Sequence, residues 1–296
     1  MKKRLFFAKK IRNVVVLCGV AGLFPSCNSD VDFGEQYKKT IYLVHGQNLL
    51  YTKEHRYGTE NDKLVFSVYC ASSEPITASV SVLLQIDGHA LDSLNARGLL
   101  ENEAYVDREI LPNGSYTFPA EAQVTIPAGQ QYALLEVPFY PEGLNSDVAY
   151  TLPVTIVSNS RNYDLSPEAR SLVYEVKMIN KYSGDFVGTS ADPSAVRPVQ
   201  PVLKAISVNQ VRLPIHNLEA EEQQYLDSHF MLLTIAEDGK VAIAPWSNAK
   251  IADLGGNFYD EVQQSYELHY RYTDDNGDIF TVTEKIANVN APKIVQ

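Results

Sequence analysis

Sugar rings present an apolar face of C–H bonds, and the side chains that hold them are exposed Trp and Tyr with amide and carboxylate neighbours. The sequence contains 18 Tyr but a single Trp, which makes Trp246 the first candidate for such a platform. It follows Pro245 at the end of a predicted strand and precedes Ser247 and Asn248, a loop setting that turns an indole outward. The alternative is a rim residue plugging one end of a β domain. Asn257, Phe258 and Tyr259 follow the flexible pair Gly255-Gly256 and form another loop of the same chemistry. Tyr266, Tyr270 and Tyr272 share a strand face with Leu268 and are predicted to pack inward, leaving Glu267, His269 and Arg271 in solvent. In a barrel with an open mouth those same tyrosines would line it.

Other chemistry is poorly supported. There is no Gly-x-Ser-x-Gly elbow, His-Glu-x-x-His helix, phosphate-binding glycine loop or dinucleotide fingerprint. The six histidines, His45, His55, His89, His216, His229 and His269, are never three to five residues apart. A local zinc site is therefore not indicated, and each histidine is predicted at the surface or an edge. Asp274-Asp275-Asn276-Gly277-Asp278 is rich in oxygen ligands, but aligning Gly277 with the glycine of an EF-hand puts Tyr272 and Thr283 at the end positions. A plain hairpin turn is the reading. With 36 acidic residues, a carboxylate pair of the kind glycosidases use carries little weight. No metal or cofactor is expected.

The elements that must position these residues are strands. From Tyr37 onward, short apolar or alternating runs are broken by Gly, Pro, Asn and Asp. Ile41–Val44, Leu64–Cys70, Ser79–Ile86, Gln123–Ile126, Tyr132–Phe139, Ala149–Val157 and Leu172–Ile179 make seven strands, as in an immunoglobulin-like sandwich. In the second of these, Leu64, Phe66, Val68 and Cys70 share one face and Val65, Ser67 and Tyr69 the other. Pro138 and Pro153 predict edges or strand ends. A short helix is expected within Asp87–Val106, capped by Asp87 and stopped at Gly98. Near residue 181 a second pattern begins, with strands Gly184–Gly188, Val202–Ser207, Gln210–Ile215, Phe230–Ile235, Val241–Ala244, Ser265–Thr273 and Ile279–Glu284. Glu237-Asp238-Gly239 and Asn276-Gly277 signal hairpin turns, and the acidic stretch Asn217–Ser228 reads as a short helix with Asn217 as N-cap. The fold class is all-β: a sandwich over 37–180, then an antiparallel β domain over 181–296, barrel or sandwich, with short helical insertions.

The N-terminus gives an address. Lys2, Lys3, Arg4, Lys9, Lys10 and Arg12 precede the apolar run Val14–Phe24. Those eleven residues rise only about 16 Å as a helix, so the segment reads as a signal peptide over 1–26 and not as a span. Cys27 follows the small residue Ser26 in a pattern that resembles a bacterial lipobox, which implies lipidation of Cys27 and a tether over 27–36. Phe24 and Pro25 depart from that pattern, and ordinary signal-peptidase cleavage is the alternative. Acidic Asn28–Asp32 looks like the surface-export tether of Bacteroidetes lipoproteins, or equally a solvated linker. Without residues 1–26 the chain has 19 basic and 36 acidic residues, a net −17, which repels phosphate backbones and anionic lipid. Nucleic acid is thus excluded as a partner, and the membrane is reached only through the anchor. Cys18 leaves with the signal and Cys27 is lipidated, so Cys70 is left without an intrachain disulfide partner, as a buried small hydrophobe.

Three features together, the lipobox, the string Ile110-Leu111-Pro112…Tyr116…Val124-Thr125-Ile126-Pro127-Ala128-Gly129 and Tyr150-Thr151-Leu152-Pro153-Val154, resemble a known domain. It is the N-terminal immunoglobulin-like domain of unknown function in Bacteroidetes lipoproteins of polysaccharide-utilisation loci. The stretch from Tyr182-Ser183-Gly184-Asp185-Phe186 to Ile279–Glu284 is similar to the partner domain that often follows it, a lipocalin-like barrel. The resemblance implies a non-catalytic outer-membrane surface lipoprotein that binds a polysaccharide or oligosaccharide beside an outer-membrane transporter. The alternative is a structural or adhesive surface protein with a protein partner, and a glycoside hydrolase comes third. Asp92-Ser93-Leu94 looks like a Bacteroidetes O-glycosylation triplet with Ser93 as acceptor.

Overall fold

The computed structural model describes residues 38–101, 106–220 and 222–291. The predicted signal segment, Cys27 and the tether lie outside the described residues. Ten strands precede residue 180: β1 (Thr40–Leu43), β2 (Leu50–Arg56), β3 (Lys63–Ala71), β4 (Val80–Ile86), β5 (Arg108–Ile110), β6 (Ala122–Ile126), β7 (Tyr132–Pro138), β8 (Ala149–Asn159), β9 (Asp164–Leu165) and β10 (Ser171–Ile179). A helix, α1 (Gly88–Glu101), joins β4 to β5. The strands form a sheet ordered β7-β3-β1-β9 and another ordered β2-β10-β8-β4-β6, with β5 added to β8. Alternation decides what lies between the sheets. Leu64, Phe66, Val68 and Cys70 of β3 are buried and meet Ile41, Leu43, Leu152, Val154 and Tyr174 in one core. Each such Leu or Phe contributes about 2 kcal/mol by leaving water.

Two local expectations fail. Pro153 does not mark an edge: β8 lies between β10 and β4. Val173, opposite Pro153, donates its N–H to Leu49 on the far side, so the proline nitrogen also faces away from β10. On that side it falls between the end of β5, at Ile110↔Thr151, and the end of β4, at Ile86↔Val154, where no ladder donor is needed. The helix runs past Gly98 to Glu101, carried by Ala90, Leu91 and Leu94 packing on Val173, while Asp87 caps it by accepting the His89 N–H.

The second set comprises β11 (Gly184–Ala191), β12 (Val196–Val199), β13 (Val202–Ser207), β14 (Gln210–Pro214), β15 (Phe230–Ile235), β16 (Val241–Pro245), β17 (Ile251–Asp253), β18 (Phe258–Asp260), β19 (Ser265–Thr273) and β20 (Ile279–Asn288). They make one antiparallel sheet, β16-β15-β14-β13-β11-β20-β19-β17, with β12 on β11 and β18 on β19. The sheet curls into a nearly closed barrel. Its free margins are stitched by Asp253, which accepts the Ile243 N–H at 2.9 Å, and by Asn257, which exchanges bonds with Val241. Tyr266, Leu268, Tyr270 and Tyr272 fill the interior. Gly188 is required in β11 because a Cβ there would stand 1.9 Å from the Lys285 carbonyl oxygen. The acidic stretch predicted as a helix holds only one 3-10 turn, Gln223–Tyr225. Asn217, expected as its N-cap, instead accepts the Tyr272 hydroxyl at 2.8 Å. No helix among the described residues is long and apolar enough to cross a membrane.

Candidate functional site: a cleft where the two cores meet

The two hydrophobic cores lie in one unit spanning residues 37–296, and Asn180 fixes the hand-over between them. Its buried amide donates to the Ser207 and Gln210 carbonyls at 2.7 and 2.8 Å and accepts the Tyr182 N–H at 2.9 Å. The loop before β8 supplies a further tie. Asn145 accepts the Asp147 N–H at 3.0 Å, a local turn that aims the aspartate at β14. Asp147 accepts both terminal nitrogens of Arg212, one at 2.6 Å, and the Lys204 ammonium at 3.0 Å. Burial alone would raise the Asp147 pKa, but the hydrogen bonds from Arg212 and Lys204 outweigh it and hold the carboxyl below its ordinary value. The buried Arg212 guanidinium lies 4.8 Å from the Phe230 ring and 4.9 Å from the Trp246 ring. Its Nε finds no acceptor among the described residues.

Beside this tie opens a cleft of 710 Å³, lined from the ends of β2 and β10, the loop at 144–150, β13 and the start of β11. Arg56, Ser146, Asp185 and Gln264 line it, and their side chains make no hydrogen bond or ion pair within the described residues. A guanidinium, a hydroxyl, a carboxylate and an amide thus converge, supplying both donors and acceptors, while the aliphatic walls come from Leu144, Val202 and Met178. That combination suits a polyhydroxylated ligand. Junctions between domains are where ligand clefts preferentially occur.

The barrel interior holds a second polar group. Ser190 lies 2.7 Å from His216 Nδ1, His216 Nε2 lies 3.3 Å from Asp192, and Asp192 is paired with Arg197. The Tyr270 hydroxyl donates to Glu284 at 2.7 Å and accepts the His216 N–H at 3.1 Å. Ser190 also bonds Glu284, and burial pushes the Glu284 carboxyl up to about 7 against those two hydrogen bonds. Ser, His and Asp in contact invite a hydrolase reading, but Ser190 is wholly buried within β11 and lines neither the cleft above nor the groove around Tyr116. Enclosed in this way among the described residues, the trio forms an interior hydrogen-bonded network.

The structure separates the residues singled out from the sequence. Trp246 is half-buried on Arg212, and Asn248 is exposed in the following turn. Asn257 and Tyr259, expected on a ligand-facing loop, are interior. Both ends of the Asn257 amide are used, donating to Asp253 at 2.7 Å and Val241 and accepting the His269 N–H at 2.6 Å. Tyr259 packs edge-on against Tyr182 at 5.0 Å. Barrel closure outweighed the loop signal of Gly255-Gly256. Three histidines predicted at the surface are likewise buried: His55 between Asp62 and the Tyr174 hydroxyl, His216 in the network above, and His229 beneath Tyr225 beside Asp275. Each has polar partners far away in sequence. Among the described residues no three His, Cys, Asp or Glu side chains are grouped to hold a metal ion. Ser93 is exposed on α1, its hydroxyl donating to the His89 carbonyl at 2.8 Å. Neither Arg212 nor the cleft side chains were signalled, apart from an Arg set between Val211 and Leu213. Because Trp246 covers Arg212, Trp246→Ala is expected to lower stability by about 1–2 kcal/mol, read as an earlier midpoint in urea; an unchanged midpoint would mean that the indole is a free surface group.

These features define a two-domain, all-β protein with a ligand-sized junction. A family model described as an N-terminal domain matches residues 37–162, and a second described as a C-terminal domain matches residues 170–287. Between them the two models account for most of the described residues, one domain after the other. No curated protein matches it. Among solved structures, a protein of unknown function from Bacteroides ovatus is similar at 17% identity, over 86% of this chain and 95% of that one, with a TM-score of 0.59. A multidomain protein from the same organism is 15% identical over 81% and 89%, with a TM-score of 0.61. An auxiliary nutrient binding protein from Bacteroides thetaiotaomicron is 14% identical over 81% and 91%, with a TM-score of 0.55. At these identities the likeness is one of fold.

Proposed function

We propose that this is a non-catalytic outer-membrane surface lipoprotein, anchored through Cys27, whose two β domains meet near residue 181 and hold an oligosaccharide in the cleft between them. The observation that carries the reading is the convergence of Arg56, Ser146, Asp185 and Gln264, uncommitted within the described residues, at that junction. The likeness of fold to an auxiliary nutrient binding protein supports it, as does the absence of signposted catalytic motifs from the sequence. A place beside an outer-membrane transporter follows from the same reading.

Affinity electrophoresis against plant and host polysaccharides tests it. The protein is expected to be retarded by at least one glycan. Arg56→Ala with Asp185→Ala should weaken that binding about a hundredfold or more, because each ligand hydrogen bond to a charged group contributes about 1.5–3 kcal/mol. Both residues are exposed, so the melting curve should not move. If no glycan retards the protein and an outer-membrane component co-purifies with it, the adhesive reading takes its place. Release of reducing sugar would overturn the non-catalytic part. For the anchor, palmitate label is expected on the wild-type protein and absent from Cys27→Ser.

A further inference from the structure

The sheet β7-β3-β1-β9 turns one face to the core and the other outward. On the outward face the register sets Tyr42 of β1 opposite Tyr69 of β3, and Tyr69 opposite Tyr132 of β7. Adjacent strands are about 5 Å apart, so the three tyrosines form a straight row across the strands. Tyr132 is 53% exposed, and Leu134, two residues along the same face, is 46% exposed. The Tyr42 and Tyr69 rings lie 5.3 Å apart, tilted by 40°. The Tyr69 hydroxyl donates to the Gln131 side-chain oxygen at 2.6 Å, and the Gln131 NH2 has no acceptor among the described residues. The ionic groups at the two margins cancel each other: Lys63 pairs with Glu136 at 2.5 Å and Lys38 with Asp164 at 3.6 Å. On a chain of net charge −11, this face therefore presents aromatic rings and amide without net charge.

We infer that this row is a second carbohydrate site, distinct from the cleft, which takes an uncharged polysaccharide chain laid across the strands. The rings stack on the C–H faces of successive sugars, while the tyrosine hydroxyls and the Gln131 amide meet their hydroxyls. The inference deepens the glycan-holding reading and rests on it. A neutral ligand is favoured because the self-paired margins offer an acidic polymer no unpaired cation and a basic partner no unpaired anion.

The test is affinity electrophoresis of the full-length protein in gels containing a soluble neutral glucan, a galactomannan or polygalacturonate. Tyr69→Ala with Tyr132→Ala is expected to weaken binding of a neutral polymer at least about tenfold. Tyr132→Phe, which keeps the ring, should stay within roughly twofold of wild type. Thermal melts of the variants should match, since these rings lie outside the core. If the double alanine variant binds as wild type while the Arg56/Asp185 variant is weakened, the row is not a site and the cleft reading stands alone. Polygalacturonate binding as tightly as the neutral polymers would also overturn the inference. So would a tyrosine variant that abolishes self-association in sedimentation without changing glycan retention, which would identify a second copy of the chain as the occupant. If the wild-type protein binds no glycan at all, the underlying reading fails and the row fails with it.

Discussion

Glu284→Gln will make the protein more stable than wild type at pH 8, by about 3 kcal/mol, and the advantage will shrink to nearly nothing by pH 4. Glu284 sits inside the barrel with a pKa near 7 because burial disfavours its charge more than the bonds from Tyr270 and Ser190 favour it. The ordinary value is 4.5. Between the two values the folded protein holds a proton that the unfolded chain has released. Stability therefore declines as pH rises from 4.5 to 7, and stays lowered above that. The acid also borders a polar network: Ser190, one of its partners, lies 2.7 Å from His216 Nδ1, and His216 Nε2 lies 3.3 Å from Asp192 and 3.1 Å from Arg197. Glutamine has the same shape and can both donate to Ser190 and accept from Tyr270 without ever ionising. His216, held by burial below its ordinary 6.5 despite the Asp192 bond, works in the opposite sense and costs stability as pH falls. It is common to both proteins, so the difference between their urea midpoints across pH 4–8 isolates Glu284. A glutamine variant less stable than wild type at pH 8 would show that the ionised carboxylate is held by compensating charge.

The second large effect is expected at the tie beside the cleft. Asp147→Ala should cost about 3–5 kcal/mol, because it leaves the Arg212 guanidinium buried between Phe230 and Trp246 with no counter-charge. Asp147→Ala with Arg212→Met should recover more than half of that loss, since the apolar chain fills the slot between the rings and no charge is stranded. Lys204→Ala should change little, its ammonium being half-exposed. Urea unfolding at neutral pH measures all three. Because Asp147 is held below its ordinary value, its contribution is complete above that value and disappears as pH falls through the folded one. If Asp147→Ala moved stability by less than 1 kcal/mol, the ion pair would be a surface contact and not a tie.

The strands were legible where one face of a short run is apolar: Leu64, Phe66, Val68 and Cys70 alternate with Val65, Ser67 and Tyr69, and the structure divides them the same way. The inward tyrosines of β19 followed from their sharing a face with Leu268. β2 was missed because Leu50–Arg56 carries Lys53, Glu54, His55 and Arg56, and its polar face gave no period. Site residues were harder. Whether an Asn faces ligand or closes a barrel is decided by Val241 and His269, twelve to sixteen residues away, and not by the glycines next to it. Arg212 and Asp147 are 65 positions apart, and each looks like an ordinary surface charge until β14 is covered from outside. The tyrosine row needs two strand registers at once, which no local pattern supplies.

The first and last strands of the barrel, β11 and β20, are hydrogen-bonded to each other from Phe186↔Asn288 to Ala191↔Thr283. During synthesis, β11 therefore has no partner on that side until residue 288 has been made, roughly a hundred residues later. Such a distant closure is slow to form. A stop codon at residue 280, which removes nearly all of β20, would therefore cost an entire domain and not merely shorten it.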